Sequence, residues 1–151
     1  MIPIVLRGVL IQSLPEFMSK GYEDNQARLG MLQSFGKDLA RRAKSTCELS
    51  LAKGVKLRTY EVPPVPKEPD FDRCLLLSEP TIAALEKPSL MVADDWRHLG
   101  ELIWVENPLV QVMTLRMLNY LGKTNDWCRE IVEEAYLDDE VVELAEAWPI
   151  A

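Results

Sequence analysis

Thr46-Cys47-Glu48-Leu49-Ser50-Leu51-Ala52-Lys53-Gly54-Val55-Lys56-Leu57-Arg58-Thr59-Tyr60-Glu61-Val62 changes character part-way along, and the rest of the chain is read outward from that change. From Val55 on, Val55, Leu57 and Thr59 alternate with polar neighbours at period two, the pattern of a half-buried strand, and Lys53-Gly54 supplies the turn into it. Pro63, Pro64, Pro66 and Pro69 come next; fixed φ and missing N–H groups exclude regular structure there. Arg73 to Leu77 is a short apolar run that returns as a second strand, completing a hairpin.

Both flanks are helical in pattern. Upstream, Leu29, Leu32, Phe35, Leu39, Ala40 and Ala43 recur at three- and four-residue steps between Tyr22 and Ala43, one face of an amphipathic helix. Gly30 and Gly36 each cost that helix about 1 kcal/mol relative to Ala, so it depends on packing. Downstream, a helix begins at Ser78 or Pro80 and ends before Pro88. Another is capped by Asp94 or Asp95 and carries Trp96, Leu99, Leu102 and Ile103. Asn107-Pro108 and Gly122 bracket a third, with Val110, Met113, Met117 and Leu121 on one face. A fourth starts at Asn125 or Asp126, with Trp127, Ile131 and Ala135 inward. Asp138-Asp139-Glu140 opens the last, where the helix dipole favours acids, with Val141, Ala145 and Trp148 inward. The expected fold class is α+β: a long helix, a small β-hairpin and a mostly helical C-terminal bundle.

At 151 residues, 48% hydrophobic and 27% charged, the chain suits one domain able to bury a core without disulfides. The net charge of -7 is unevenly placed. Residues 18–60 carry nine Lys and Arg against four Asp and Glu, whereas residues 61–151 carry seven against nineteen. Met18-Ser19-Lys20-Gly21 reads as a natural start, making residues 1–17 an upstream extension and 18–151 the domain. The apolar stretch Met1 to Leu14 is interrupted by Arg7 and makes a poor signal peptide. No apolar run reaches the roughly 18 residues of a membrane span, so no membrane partner is expected. Cys47, Cys74 and Cys128, an odd number far apart, fit free thiols in a reducing, cytoplasmic setting.

Three groups could carry chemistry. His98, three residues after Asp95, has the spacing of a general base oriented by a carboxylate, although a half-buried histidine beside a capping aspartate explains it more simply. Cys47 is the candidate reactive thiol if Lys44 and Arg42 lie near enough to favour its thiolate; Cys74 and Cys128 read as small core residues. Lys37, Arg41, Arg42, Lys44, Lys56 and Arg58 are the candidate anion- or nucleic-acid-binding residues, with 37, 41 and 44 on one side of the first helix. Their simplest partners are the protein's own acids, because a strongly acidic segment is attached to the basic one; no aromatics interleave them as base-stacking platforms for nucleic acid would.

Several segments resemble the bacterial PhnA proteins, named after an alkylphosphonate-utilisation operon. They are Gly36-Lys37-Asp38-Leu39-Ala40-Arg41-Arg42-Ala43-Lys44-Ser45, Cys47-Glu48-Leu49, Tyr60-Glu61-Val62-Pro63-Pro64-Val65 and Glu68-Pro69-Asp70-Phe71-Asp72-Arg73-Cys74. Leu85-Glu86-Lys87-Pro88, Trp96-Arg97, Trp104 and Val110-Gln111-Val112-Met113 extend the resemblance over most of Met18 to about Leu144. It implies a zinc ribbon with Cys-x-x-Cys at two knuckles, and divides the domain into a basic helix (18–45), the ribbon (46–82) and an acidic helical part (83–151). The four ligand positions hold Cys47, Ser50, Ser78 and Thr81 here. Hydroxyls stay protonated at neutral pH and are poor zinc ligands, so the ribbon is degenerate and no metal or other cofactor is expected; zinc belongs to relatives with the full set. The family name implies phosphonate chemistry, yet metal-dependent hydrolysis draws on several His, Asp and Glu ligands and this chain has one histidine. The expected function is a non-catalytic binding or accessory module whose partner the sequence does not identify, a protein or a nucleic acid bound through the basic N-terminal third being the candidates. The alternatives are a nucleic-acid-binding regulator and a phosphonate enzyme or phosphonate-binding protein.

Overall fold

The hairpin forms just after period two begins in the sequence. In the computed structural model, which describes residues 9–151, β1 (Leu57–Glu61) pairs antiparallel with β2 (Cys74–Ser78), Leu57 opposite Ser78 and Glu61 opposite Cys74. Val55 falls just outside β1, because Gly54 takes a left-handed φ of +69° and the chain first closes a bridge between Thr46 and Lys53. Every residue of β2 is buried. That burial explains its unbroken Leu75-Leu76-Leu77 run, since a strand covered on both faces has no solvent side to alternate toward.

Ahead of the hairpin lies α1 (Val9–Ala43). The chain divides into two compact units inside this helix, one ending at Ser34 and the other running from Phe35 to Ala151. The expected extension falls partly on residues 1–8, outside the described residues, and its remainder belongs to α1. In the first unit Leu29 is exposed; in the second, Leu39 is fully buried and Phe35 meets Phe71 edge-on at 5.6 Å. After Ala43 the backbone turns through Lys44 and Ser45, both at φ 56°, and the Ser45 N–H donates to the Ala40 carbonyl (2.8 Å), closing the helix in the manner of a Schellman motif. Lys44 thus lies beyond the helix and does not share a helical face with Lys37 and Arg41.

After the hairpin the fold is helical. α2 (Glu79–Glu86) takes Ser78 as its N-cap and buries Ile82 and Leu85. The single helix expected from Asp94 is instead a 3-10 turn at Ala93–Trp96 followed by the short α3 (Leu99–Leu102). Trp96, Leu99 and Leu102, all buried, are spaced by threes, which matches the three residues per turn of 3-10 geometry better than 3.6. α4 (Pro108–Leu121) starts as its sequence signals: the Asn107 side chain accepts from the Leu109 N–H at 3.0 Å, with proline in the first turn. α4 is buried along most of its length and packs against β2, α3, α5 (Asp126–Glu134) and α6 (Asp139–Ala147).

Two features there depart from the sequence reading. Gly122 has φ -65°, so it is not a left-handed cap; a Cβ would sit 2.8 Å from the Leu118 carbonyl oxygen and 3.1 Å from Arg129 Cγ, and close approach is what requires glycine. Trp148 is 54% exposed, because α6 stops at Ala147 and Trp148 leaves helical geometry at φ -144°, ψ 72°. Among the described residues, no helix is long and apolar enough to cross a membrane.

Candidate functional site

Cys47 opens a tight turn. Its N–H donates to the Ala52 carbonyl (3.0 Å), its own carbonyl accepts from the Leu51 N–H (2.9 Å), and the Ser50 N–H donates to its sulfur (3.3 Å). The turn needs Leu51 at φ 67°, a conformation that usually favours glycine. The other half of the site comes from the junction of β2 and α2, where Ser78 ends the strand and Thr81 sits in the first helical turn. Thr81 Oγ1 lies 3.5 Å from Cys47 Sγ and 2.9 Å from Ser78 Oγ. The four positions that were only a spacing pattern in the sequence therefore meet. Ser78 and Thr81 are 3% and 2% exposed and Cys47 is fully buried.

This arrangement bears directly on the thiol. Burial pushes the Cys47 thiol up, but hydrogen bonds from Ser50, Ser78 and Thr81 outweigh it and bring the pKa from 9.0 to about 7. The cations expected to do this are occupied elsewhere: Arg42 is paired with Glu48, and Lys44 is exposed beyond the helix. A folded-state pKa below the unfolded one favours folding when the thiol is ionised. The contribution is absent below about pH 7, grows as pH rises toward 9 and is level above that. Relative to Cys47→Ala, the wild-type protein is expected to gain on the order of 2 kcal/mol between pH 6 and pH 9.5 in urea unfolding. Equal pH profiles for the two proteins would refute the effect.

Cys74 and Cys128 are buried free thiols, as expected of core residues. Cys74 donates to the Asp70 carbonyl (3.3 Å), and burial pushes the Cys128 thiol up. Among the described residues, no group of three or more His, Cys, Asp and Glu side chains could hold a metal ion.

Ser50, Ser78 and Thr81 also form the floor of a cavity of about 450 Å³. Its walls include Pro80, Ala84 and Trp96, and its rim carries exposed apolar residues: Val55 (47%), Leu90 (54%) and Val92 (58%). Lys56, Glu79 and Asp95 are the charged residues around it. His98 does not turn to Asp95. Its Nε2 donates to the Leu49 carbonyl at 2.8 Å and its ring lies 5.6 Å from Trp96, so it pins the knuckle turn to the helical part.

The candidate basic residues are dispersed. Arg41 pairs with Asp38 at 2.9 Å on the exposed side of α1, and Lys37 is exposed nearby in sequence. Arg42 is bound to Glu48 through two hydrogen bonds, Nη2 to Oε1 (2.7 Å) and Nε to Oε2 (3.2 Å), and its guanidinium lies 5.5 Å above the Phe71 ring. Lys56 borders the knuckle cavity, whereas Arg42 lines a different one with Glu48 and Asp72. Arg58 is exposed on β1.

Two structural residues carried no signal in the sequence. Glu48, with a side chain 9% exposed, accepts from Arg42, from the Leu76 N–H (2.8 Å) and from Asn107 Nδ2 (3.5 Å), joining the end of α1, the knuckle, β2 and the cap of α4. Arg116, 2% exposed on α4, donates to the carbonyls of Leu144 (2.7 Å) and Ala145 (3.3 Å) in the last turn of α6, which have no partners within that helix. Nothing in a single glutamate or arginine distinguishes either from a surface charge until its neighbours are known. Comparison with models of protein families, with curated proteins and with solved structures gave no match.

Proposed function

We propose that the protein is a non-catalytic binding or accessory module, PhnA-like in sequence, whose knuckles are held by a thiol and hydroxyl cluster in place of a metal. In this reading the cavity beside the cluster receives an apolar side chain of a protein partner. The observation that supports it is the cavity itself: about 450 Å³ falls in the size range of ligand pockets, and its apolar walls meet a few converging polar groups. The exposed rim of Val55, Leu90 and Val92 extends the apolar surface outward. The three free thiols support a reducing, cytoplasmic setting. Arg41 and Arg42, already paired with acids, weigh against the nucleic-acid alternative.

Leu90 and Val92 are exposed, so charges there leave the core intact. Cross-linking in cells should capture a discrete partner with the wild-type chain and lose it with the Leu90→Glu/Val92→Glu variant. Equal capture by a variant that folds normally would rule out the cavity as the binding site.

A further inference from the structure

A second cavity, of about 200 Å³, is bounded by β1, α2, α4 and the last residues of the chain. Leu85, Met113, Pro149 and Ile150 give it apolar walls, and its polar side chains include Tyr60, Glu86, Arg116 and Trp148, with Ala151 at its edge, where Lys123 donates to the Ala151 oxygen. A guanidinium only 2% exposed is ordinarily paired with a carboxylate. Arg116 instead contacts the Leu144 and Ala145 carbonyls and, at 3.6 Å, Met113 Sδ. These occupy three of the five N–H donors of a guanidinium, leaving two.

The surroundings increase the positive charge. Arg73, close enough to help lower the pKa of Arg116 after the larger effect of burial, donates to the Val62 and Pro64 carbonyls, and its buried Nε has no partner. Among the described residues, neither arginine takes part in an ion pair and the Tyr60 hydroxyl makes no hydrogen bond. Arg116, with donors to spare, and the Tyr60 hydroxyl thus line one small cavity whose walls are part polar and part apolar.

We propose that this cavity binds a small monocarboxylate with an apolar body. The planar carboxylate matches the fork of Arg116 and accepts from Tyr60, while Leu85, Met113 and Ile150 cover the hydrocarbon part. Glu86 disfavours a second negative charge, which selects a monocarboxylate over a dianion such as phosphate.

Benzoate is the probe, titrated into the full chain by calorimetry and by tryptophan fluorescence, since Trp148 borders the cavity. Benzamide, its neutral counterpart, and inorganic phosphate are the comparisons. One saturable site for benzoate is expected, with benzamide and phosphate at least roughly ten-fold weaker, the size of a charge-assisted hydrogen bond. Tyr60→Phe should weaken benzoate by about ten-fold, and Ile150→Trp, which fills the cavity, should abolish binding. Arg116→Gln should also abolish it; if that chain fails to fold, Tyr60→Phe and Ile150→Trp decide. No saturation by about 20 mM benzoate, equal binding of benzamide, or unchanged affinity in the two cavity variants would each overturn the proposal.

Discussion

Glu48→Ala is expected to lower the unfolding free energy by about 3 kcal/mol, read as a fall in the urea midpoint with the slope unchanged. The side chain is 9% exposed and its carboxylate accepts from Arg42, the Leu76 N–H and Asn107. Truncation leaves the buried Leu76 N–H without this acceptor and strips Arg42, which is more exposed and still donates to the Cys74 carbonyl, of its ion pair; an orphaned buried donor loses more than the net value of the bond it made. Glu48→Gln keeps an oxygen for the Leu76 N–H but removes the charge, so it should cost about half as much. A double-mutant cycle with Arg42→Ala should give a coupling of at least about 1 kcal/mol. The exposed pairs Arg41 with Asp38 and Arg97 with Asp94 should show almost none. A Glu48→Ala protein as stable as wild type would show that the knuckle, β2 and α4 do not depend on this carboxylate.

The contrast between Glu48 and the helix caps shows what a sequence of this kind discloses. Asn107-Pro108 could be read as a helix start because an N-cap and its proline act on backbone groups two or three residues away. The strand was legible from the alternation of Val55, Leu57 and Thr59, since pleating repeats locally, although β1 starts only at Leu57; the apolar run of β2 was legible as well. Gly122 was recognised as a helix end for the wrong cause. Left-handed geometry is a local property that could be guessed, whereas crowding by Arg129 depends on where α5 lies. Beyond Arg42, six positions away, Glu48 acts on partners 28 and 59 positions away, and the carbonyls that Arg116 holds lie 28 and 29 away, distances over which composition and spacing are silent.

The candidate site was legible in a different way. The resemblance to PhnA proteins marked positions 47, 50, 78 and 81, and the fold brings those residues together although three of the four are hydroxyls. What the residues do for one another was not legible. Seen along the sequence, Arg42 and Lys44 were the nearest cations to Cys47, but in the fold hydroxyl and amide donors surround the sulfur. Hydrogen bonds link the thiol and the hydroxyls to one another, unlike a metal site in which thiolates donate electron pairs to a cation. A hydrogen-bonded cluster can thereby hold two turns together at the positions where a ribbon would use zinc.

On the PhnA-like reading, the cluster should accept a metal once its hydroxyls are replaced by thiols. The Ser50→Cys/Ser78→Cys/Thr81→Cys variant is expected to bind one zinc per chain through four thiolates. Tetrahedral Zn–S bonds of about 2.3 Å place sulfurs roughly 3.8 Å apart. The present 3.5 Å from Cys47 Sγ to Thr81 Oγ1 is close to that, and the 2.9 Å from Ser78 Oγ to Thr81 Oγ1 must open modestly. The N–H of Ser50 already points at a sulfur, the outer contact that steadies a ligating thiolate. Structural zinc in small protein sites is bound by on the order of 10 kcal/mol or more, so the metal should survive purification and raise the urea midpoint until chelator removes it. Cobalt in its place should give the visible absorption of a tetrahedral thiolate complex. Three cysteines placed at Ser34, Ser45 and Ser89 control for thiol number and should retain no metal. If the variant folds yet takes up no more zinc than that control, the four positions do not have ribbon geometry and the PhnA-like reading of the knuckles fails.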